Sequence, residues 1–132
     1  MHLTGHCHCG AVSFTVDGEP VLMAQCHCNA CRRITGTGHN VQAFFKRADV
    51  TITGETHIHE STADSGSIRT RHFCPVCGSR LFSQNSKGLH LLGISVGAFD
   101  DSSWFKPTII RYGAERPVWD MIDPSIEIHE AM

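Results

Sequence analysis

Phe73-Cys74-Pro75-Val76-Cys77-Gly78-Ser79 is the stretch on which the reading of this chain turns. In C-P-x-C-G the backbone makes a tight knuckle with both sulfurs pointing into the turn. Pro75 fixes φ early in the knuckle, and Gly78 permits a positive φ just after the second sulfur. The free N–H groups of such a turn can donate to thiolates, so the knuckle supplies two of the four ligands of a tetrahedral Zn²⁺. A redox dithiol uses the same spacing, but it belongs in a βαβ context. The sequence around Cys74 reads as strand.

The other cysteines sort themselves around this knuckle. The 132 residues include seven Cys. In Cys7-His8-Cys9-Gly10, residues i and i+2 of an extended segment face the same side, so both sulfurs can reach the ion held by Cys74 and Cys77. A Cys₄ site of this kind ties the N-terminal strand to mid-chain. Its binding energy is folding energy, of order 10 kcal/mol for structural zinc. Cys26-His27-Cys28-Asn29-Ala30-Cys31 is left with three thiolates, one short of a closed tetrahedron. Three protein ligands plus an open position is the build of a catalytic zinc site. Three alternatives stay open. His39 or His72 closes the second site as Cys₃His, with His27 pointing away from its neighbours. Or the C-x-x-C end of the triplet joins Cys74 and Cys77 in an ordinary zinc ribbon. Or the sites hold iron–sulfur, which four plus three thiolates suit poorly.

Composition narrows the rest. The length suits one domain over residues 1–132 with a real core. Net charge is −2, with 41% hydrophobic and 18% charged residues. No excess of Lys and Arg points to nucleic acid or anionic lipid. No apolar run approaches the ~18 residues of a membrane span, and the first residues lack the pattern of a signal peptide. The expected setting is cytoplasmic, where clustered Cys bind metal more often than they pair. Nothing in the sequence signals an oligomeric state.

Strand signals dominate. Val12, Phe14 and Val16 alternate on one face, Val50-Thr51-Ile52-Thr53 does the same, and Ser67 to Phe73 alternates with Arg69 and Arg71 on one side. Leu89 to Val96 reads as a strand buried on both faces, and Thr108 to Tyr112 as another β-branched run. Helix is confined to Asn29–Thr35, with Asn29 as N-cap and Gly36 as stop. Short strands with frequent turns predict an all-β sandwich or irregular barrel with very little helix.

Other residues receive simpler readings. Arg32 and Arg33 follow Cys31, and one of them is a candidate to hold a carboxylate bidentately. Arg69 and Arg71 share one strand face and read as a surface stripe, with a second anion contact as the alternative, and His57 and His59 read as an exposed strand face. Trp104, Phe105 and Trp119 read as packing residues. The candidates for a general acid are His27, His39 and His72.

Gly5-His6-Cys7-His8-Cys9-Gly10-Ala11-Val12, Cys26 through Gly36, and Phe73 through Phe82 resemble, in order, three motifs of the glutathione-dependent formaldehyde-activating (GFA) enzyme family. Gly97-Ala98-Phe99-Asp100-Asp101 resembles the family's G-x-x-D-D segment. The resemblance implies stacked antiparallel sheets with zinc knuckles, a zinc-ribbon-like β sandwich holding two zinc ions. It implies a structural zinc on Cys7, Cys9, Cys74 and Cys77 and a catalytic zinc on Cys26, Cys28 and Cys31. It also implies a carbon–sulfur lyase of the S-(hydroxymethyl)glutathione synthase type, which joins formaldehyde to glutathione. This chain resembles a short member, so residues that hold glutathione's carboxylates do not carry over. The rival reading is a zinc-stabilised binding module or a zinc or redox sensor. A fixed fourth protein ligand at the second site would mark the binding module, whereas an empty Cys₃ site with reactive thiolates also suits a sensor.

Overall fold

The computed structural model describes residues 1–131. The alternation at Val12, Phe14 and Val16 builds strand β2 (Ser13–Asp17), and all three side chains are buried. β2 is the middle of a three-stranded antiparallel sheet, between β1 (His2–His6) and β5 (Val50–Thr53). Phe14 pairs with Ile52 and Val16 with Val50, which gives this sheet one apolar face.

That face covers a larger sheet. Its strand order is β11 (Glu127–Ile128), β10 (Ile109–Arg111), β3 (Leu22–Cys26), β4 (Asn40–Lys46), β9 (Leu91–Ser95), β8 (Arg80–Asn85), β7 (Ile68–Phe73) and β6 (His57–Thr62). The run from β3 to β6 is antiparallel throughout, as expected. The edge departs from that expectation: β10 runs parallel to both β3 and β11. β10 therefore points the same way as β9, and a return in the same direction needs a crossover of about a dozen residues. Residues 96–108 provide it.

The core lies between the two sheets. Phe14 meets Phe82 and Phe99 edge-on, with ring centroids 5.5 and 5.1 Å apart. Phe45, Leu81, Leu92 and Ile94 complete the layer. Leu92, Gly93 and Ile94 are buried in succession, which is why β9 reads as a continuous apolar run. Trp104 and Phe105 pack against this core as expected. Trp119 does not: it is 65% exposed, on a turn that leaves the sheet.

The helix α1 (Asn29–Thr35) forms where expected, with one shift at its start. The N-cap is Cys28, not Asn29: the Cys28 sulfur takes the place of a capping oxygen and accepts from the Cys31 N–H at 3.3 Å. Gly36 ends the helix with φ 70°, its N–H bonded to the Arg32 carbonyl. A cysteine that caps the helix is thereby fixed beside a cysteine in its first turn. No helix among the described residues is long and apolar enough to cross a membrane.

Candidate metal centres and the adjoining cavity

Cys7 and Cys9 sit in the turn after β1, closed by bonds from the Gly10 N–H to the Cys7 carbonyl and from the Cys7 N–H to the Val12 carbonyl. The Cys74–Cys77 knuckle follows β7. Gly78 has φ 78° and donates its N–H to the Cys74 carbonyl, as the C-P-x-C-G pattern predicts. The Sγ atoms of Cys7, Cys9, Cys74 and Cys77 all lie within 4.8 Å of one another. Cys9 Sγ is 3.7 Å from Cys7 Sγ and 3.8 Å from Cys74 Sγ. A ZnS₄ tetrahedron with Zn–S of about 2.3 Å has sulfur–sulfur edges of about 3.8 Å, so this cluster has the spacing of a closed metal site.

Backbone donors are already in place for thiolates. Val12 N–H reaches Cys7 Sγ at 3.3 Å, and the N–H groups of Val76 and Cys77 reach Cys74 Sγ at 3.4 and 3.5 Å. The Ser79 hydroxyl, 3.2 Å from Cys77 Sγ, holds that thiol down at about 5, with help from backbone donors.

The second group is Cys26, Cys28 and Cys31, from the end of β3, the helix cap and the first helical turn. Their sulfurs also lie within 4.8 Å of one another. Among the described residues no fourth Cys, His, Asp or Glu joins them, and they stand apart from Cys74 and Cys77. The described residues thus show neither a grouping for a shared zinc ribbon nor one for a Cys₃His closure. The neighbouring Cys26 and Cys31 sulfurs, then the Cys31 N–H, hold the Cys28 thiol well below its ordinary value.

The triplet opens on a cavity of about 210 Å³. Its walls include Arg69 and Arg71 from β7, Gln42 from β4, Arg111 from β10, and Ser61 and Tyr112. The sequence reading of Arg69 and Arg71 as a surface stripe is wrong. Arg71 is only 7% exposed and donates to Ser61 Oγ at 2.7 Å. Ser61 on the neighbouring strand β6 and the turn after it flank Arg69 and Arg71 along the cavity wall. Burial pushes the Arg71 guanidinium below its usual range, as does Arg69, while Cys31, Cys28 and Cys26 push it back up.

Arg32 and Arg33, the sequence's candidates for an anion contact, do not line the cavity. Arg32 folds back on its own helix and donates to Asn29 Oδ1 at 3.2 Å, and Arg33 is exposed. The three histidine candidates are elsewhere too. His72 lies on the opposite face of β7 from Arg71, with Nδ1 2.9 Å from Thr56 Oγ1. His27 is fully buried and shares the Asp120 carboxylate with His39: Nδ1 of His27 is 3.0 Å and Nδ1 of His39 2.8 Å from Asp120 Oδ2. His57 and His59 are exposed, as read.

Two residues of the site escaped the sequence reading. Tyr112 lines the cavity and has φ 57°, the one positive φ outside glycine among the described residues. Such strain is uncommon and gathers at functional sites. Burial, then the charges of Asp64, Cys28 and Cys26, hold its phenol above the ordinary value. Asp120 comes from the C-terminal segment, where the sequence shows no pattern.

The comparisons with known proteins point to one family. A sequence model of the family described as "Glutathione-dependent formaldehyde-activating enzyme" matches residues 2–115. A Halomonas elongata protein named "Putative glutathione-dependent formaldehyde-activating enzyme" is 30% identical over 129 residues, covering 93% of this chain and 82% of that one. A crystal structure of a Rhodobacter sphaeroides protein shares the fold, with TM-score 0.59 and 22% identity over 74% of this chain and 87% of the other. The family match over residues 2–115, together with the 30% identical relative, places the chain in the glutathione-dependent formaldehyde-activating enzyme family.

Proposed function

We propose that this chain, acting as one zinc-binding domain over residues 1–132, joins a thiol to an aldehyde. The substrates on this reading are glutathione, or a similar small thiol, and formaldehyde. Run backwards, the reaction is that of a carbon–sulfur lyase of the S-(hydroxymethyl)glutathione synthase type. One observation carries the reading: three sulfurs with no fourth protein ligand open directly on a cavity. A fixed fourth ligand, the mark of a binding module, is missing among the described residues.

Two zinc ions fit the donor sets. Cys7, Cys9, Cys74 and Cys77 would hold a structural ion, and their sulfur spacing supports it. Cys26, Cys28 and Cys31 would hold the reactive one. When bound there, zinc lowers the pKa of a thiol entering its open position, so that thiolate is present at neutral pH. Three protein thiolates suit a reducing, cytoplasmic setting.

The chain's own residues do the rest. Arg71, Arg69 and Arg111 favour an anionic ligand in the cavity. As the sulfur–carbon bond forms, the carbonyl π pair moves onto oxygen. The Tyr112 hydroxyl donates its proton to that oxygen, and solvent reprotonates the phenol. In reverse the phenol first gives its proton to solvent, and the phenolate then takes the hydroxyl proton as the bond breaks. Its raised pKa keeps the phenol protonated through neutral pH. His27 has a positioning role, with Asp120 holding it between the ligands Cys26 and Cys28.

The test is the rate of S-(hydroxymethyl)glutathione formation from formaldehyde and glutathione, followed by NMR with zinc-loaded protein. Expected is a rate above the uncatalysed reaction that returns to background in Cys28→Ser. A wild-type rate equal to background would overturn the reading.

A further inference from the structure

The cavity beside Cys26, Cys28 and Cys31 holds more positive charge than its cysteines need. Arg69, Arg71 and Arg111 all line it. With one divalent cation the triplet carries a single net negative charge, against three guanidiniums. No carboxylate among the described residues lies within ion-pair distance of any of the three arginines. Asp64 and Glu115 also line the cavity, but both are exposed at its rim.

Burial makes this arrangement costly without a ligand. Arg71 is 7% exposed, with Ser61 Oγ as its hydrogen-bond partner. Arg69 Nε is buried with no partner. A buried guanidinium without a carboxylate is unfavourable, and an anion seated on it relieves that. The fork of an arginine matches a carboxylate bidentately. Arg71 and Arg69 stand two apart on β7, on one face. Arg111 comes from another wall, where it pairs in register with Cys26.

Size adds a second constraint. A cavity of about 210 Å³ is smaller than the roughly 300 Å³ at which sites for drug-sized ligands begin. A tripeptide would leave much of itself outside. A thiol of a few heavy atoms would not.

We propose that this cavity selects a compact thiol that carries its own carboxylate, with the sulfur beside Cys26, Cys28 and Cys31 and the carboxylate on Arg71 and Arg69. The inference rests on the reading above that a thiol enters next to the triplet. It names the thiol class as a small thiol acid. The adduct it forms with an aldehyde would keep that carboxylate anchored while the sulfur–carbon bond is made or broken.

The test is calorimetric titration of the zinc-loaded protein with 3-mercaptopropionate, 2-mercaptoethanol and glutathione, in the wild type and in Arg71→Gln and Arg69→Gln. Expected is binding of 3-mercaptopropionate roughly tenfold or more tighter than 2-mercaptoethanol, as a charge-assisted bidentate pair provides. That ratio should fall toward one in both variants. If the buried Arg71→Gln change prevents folding, Arg69→Gln, at a half-buried side chain, carries the comparison. Equal binding of the acid and the neutral thiol overturns this inference and leaves the thiol-adduct reading standing. Tighter binding of glutathione than of 3-mercaptopropionate also overturns it, because the carboxylate then comes from a tripeptide. Binding of no thiol at all overturns both.

Discussion

Oδ2 of Asp120 lies 2.8 Å from Nδ1 of His39, a contact between residues 81 apart in sequence. The same oxygen lies 3.0 Å from Nδ1 of His27, which sits between two of the triplet cysteines. The turn that carries Asp120 is itself fastened, since Arg116 Nη1 donates to the Asp120 carbonyl at 2.8 Å. One carboxylate thus ties the C-terminal segment to the loop that presents Cys26, Cys28 and Cys31. Removing its charge while keeping its shape leaves the buried His27 and the half-buried His39 without their anion. Asp120→Asn should lower stability by about 1–3 kcal/mol, read by urea denaturation of the zinc-loaded protein. Gly38→Ala should act on the same contact, because a Cβ there would come within 2.4 Å of the Asp120 carboxyl. Unchanged midpoints in both variants would show that the contact holds nothing in place.

The two cysteine groups should differ in what they support. Cys74 is fully buried and its sulfur accepts two backbone N–H groups, inside a cluster that joins β1 to the knuckle after β7. Cys74→Ser should release one zinc and unfold much of the chain, since structural zinc contributes on the order of 10 kcal/mol. Cys28→Ser should release the other zinc and keep the fold, because serine is also a good helix cap. Thermal melts with zinc analysis compare them. Equal collapse of the two variants would contradict the division into structural and reactive sites.

Much of this was legible because cysteine spacing is a local code. C-x-C on an extended segment and C-P-x-C-G in a knuckle leave few geometries, and the leftover triplet follows from the count. The alternation in Val12–Val16, the helix at Asn29–Thr35 and its stop at Gly36 are equally local. What the sequence hid depends on distant covering. Arg71 looks like a surface residue in its own strand, and only the tertiary packing around the cavity buries it. Tyr112 looks like the end of a β-branched run, yet its backbone turns left-handed there. Asp120 meets His27 and His39 only through tertiary folding of the tail. The parallel edge at β10 was hidden for the same reason, because a crossover leaves no periodic mark.

Tyr112 provides a kinetic test of proton transfer. Tyr112→Phe removes the hydroxyl and keeps the ring that lines the cavity. A lost general acid costs about 10²-fold or more in rate. The expected result is a fall of that order in kcat for S-(hydroxymethyl)glutathione formation, with KM little changed. A variant as fast as wild type would assign the proton to another group.

Phe14 marks the seam between the sheets. It is 2% exposed and meets Phe82 and Phe99 edge-on. Phe14→Ala should cost about 3–5 kcal/mol through lost burial and the cavity left behind. Denaturant unfolding measures it. A loss below about 1 kcal/mol would mean that the small sheet does not pack on the large one as described.

The open coordination position beside Cys26, Cys28 and Cys31 is the claim on which the chemistry depends. Zinc K-edge X-ray absorption of the fully loaded protein, before and after saturation with a thiol, reads it directly. The expected result is a sulfur shell that gains one ligand at one of the two zinc ions when thiol is added, as oxygen or nitrogen is lost. A shell that is all sulfur beforehand, or one that thiol leaves unchanged, would contradict an exchangeable site.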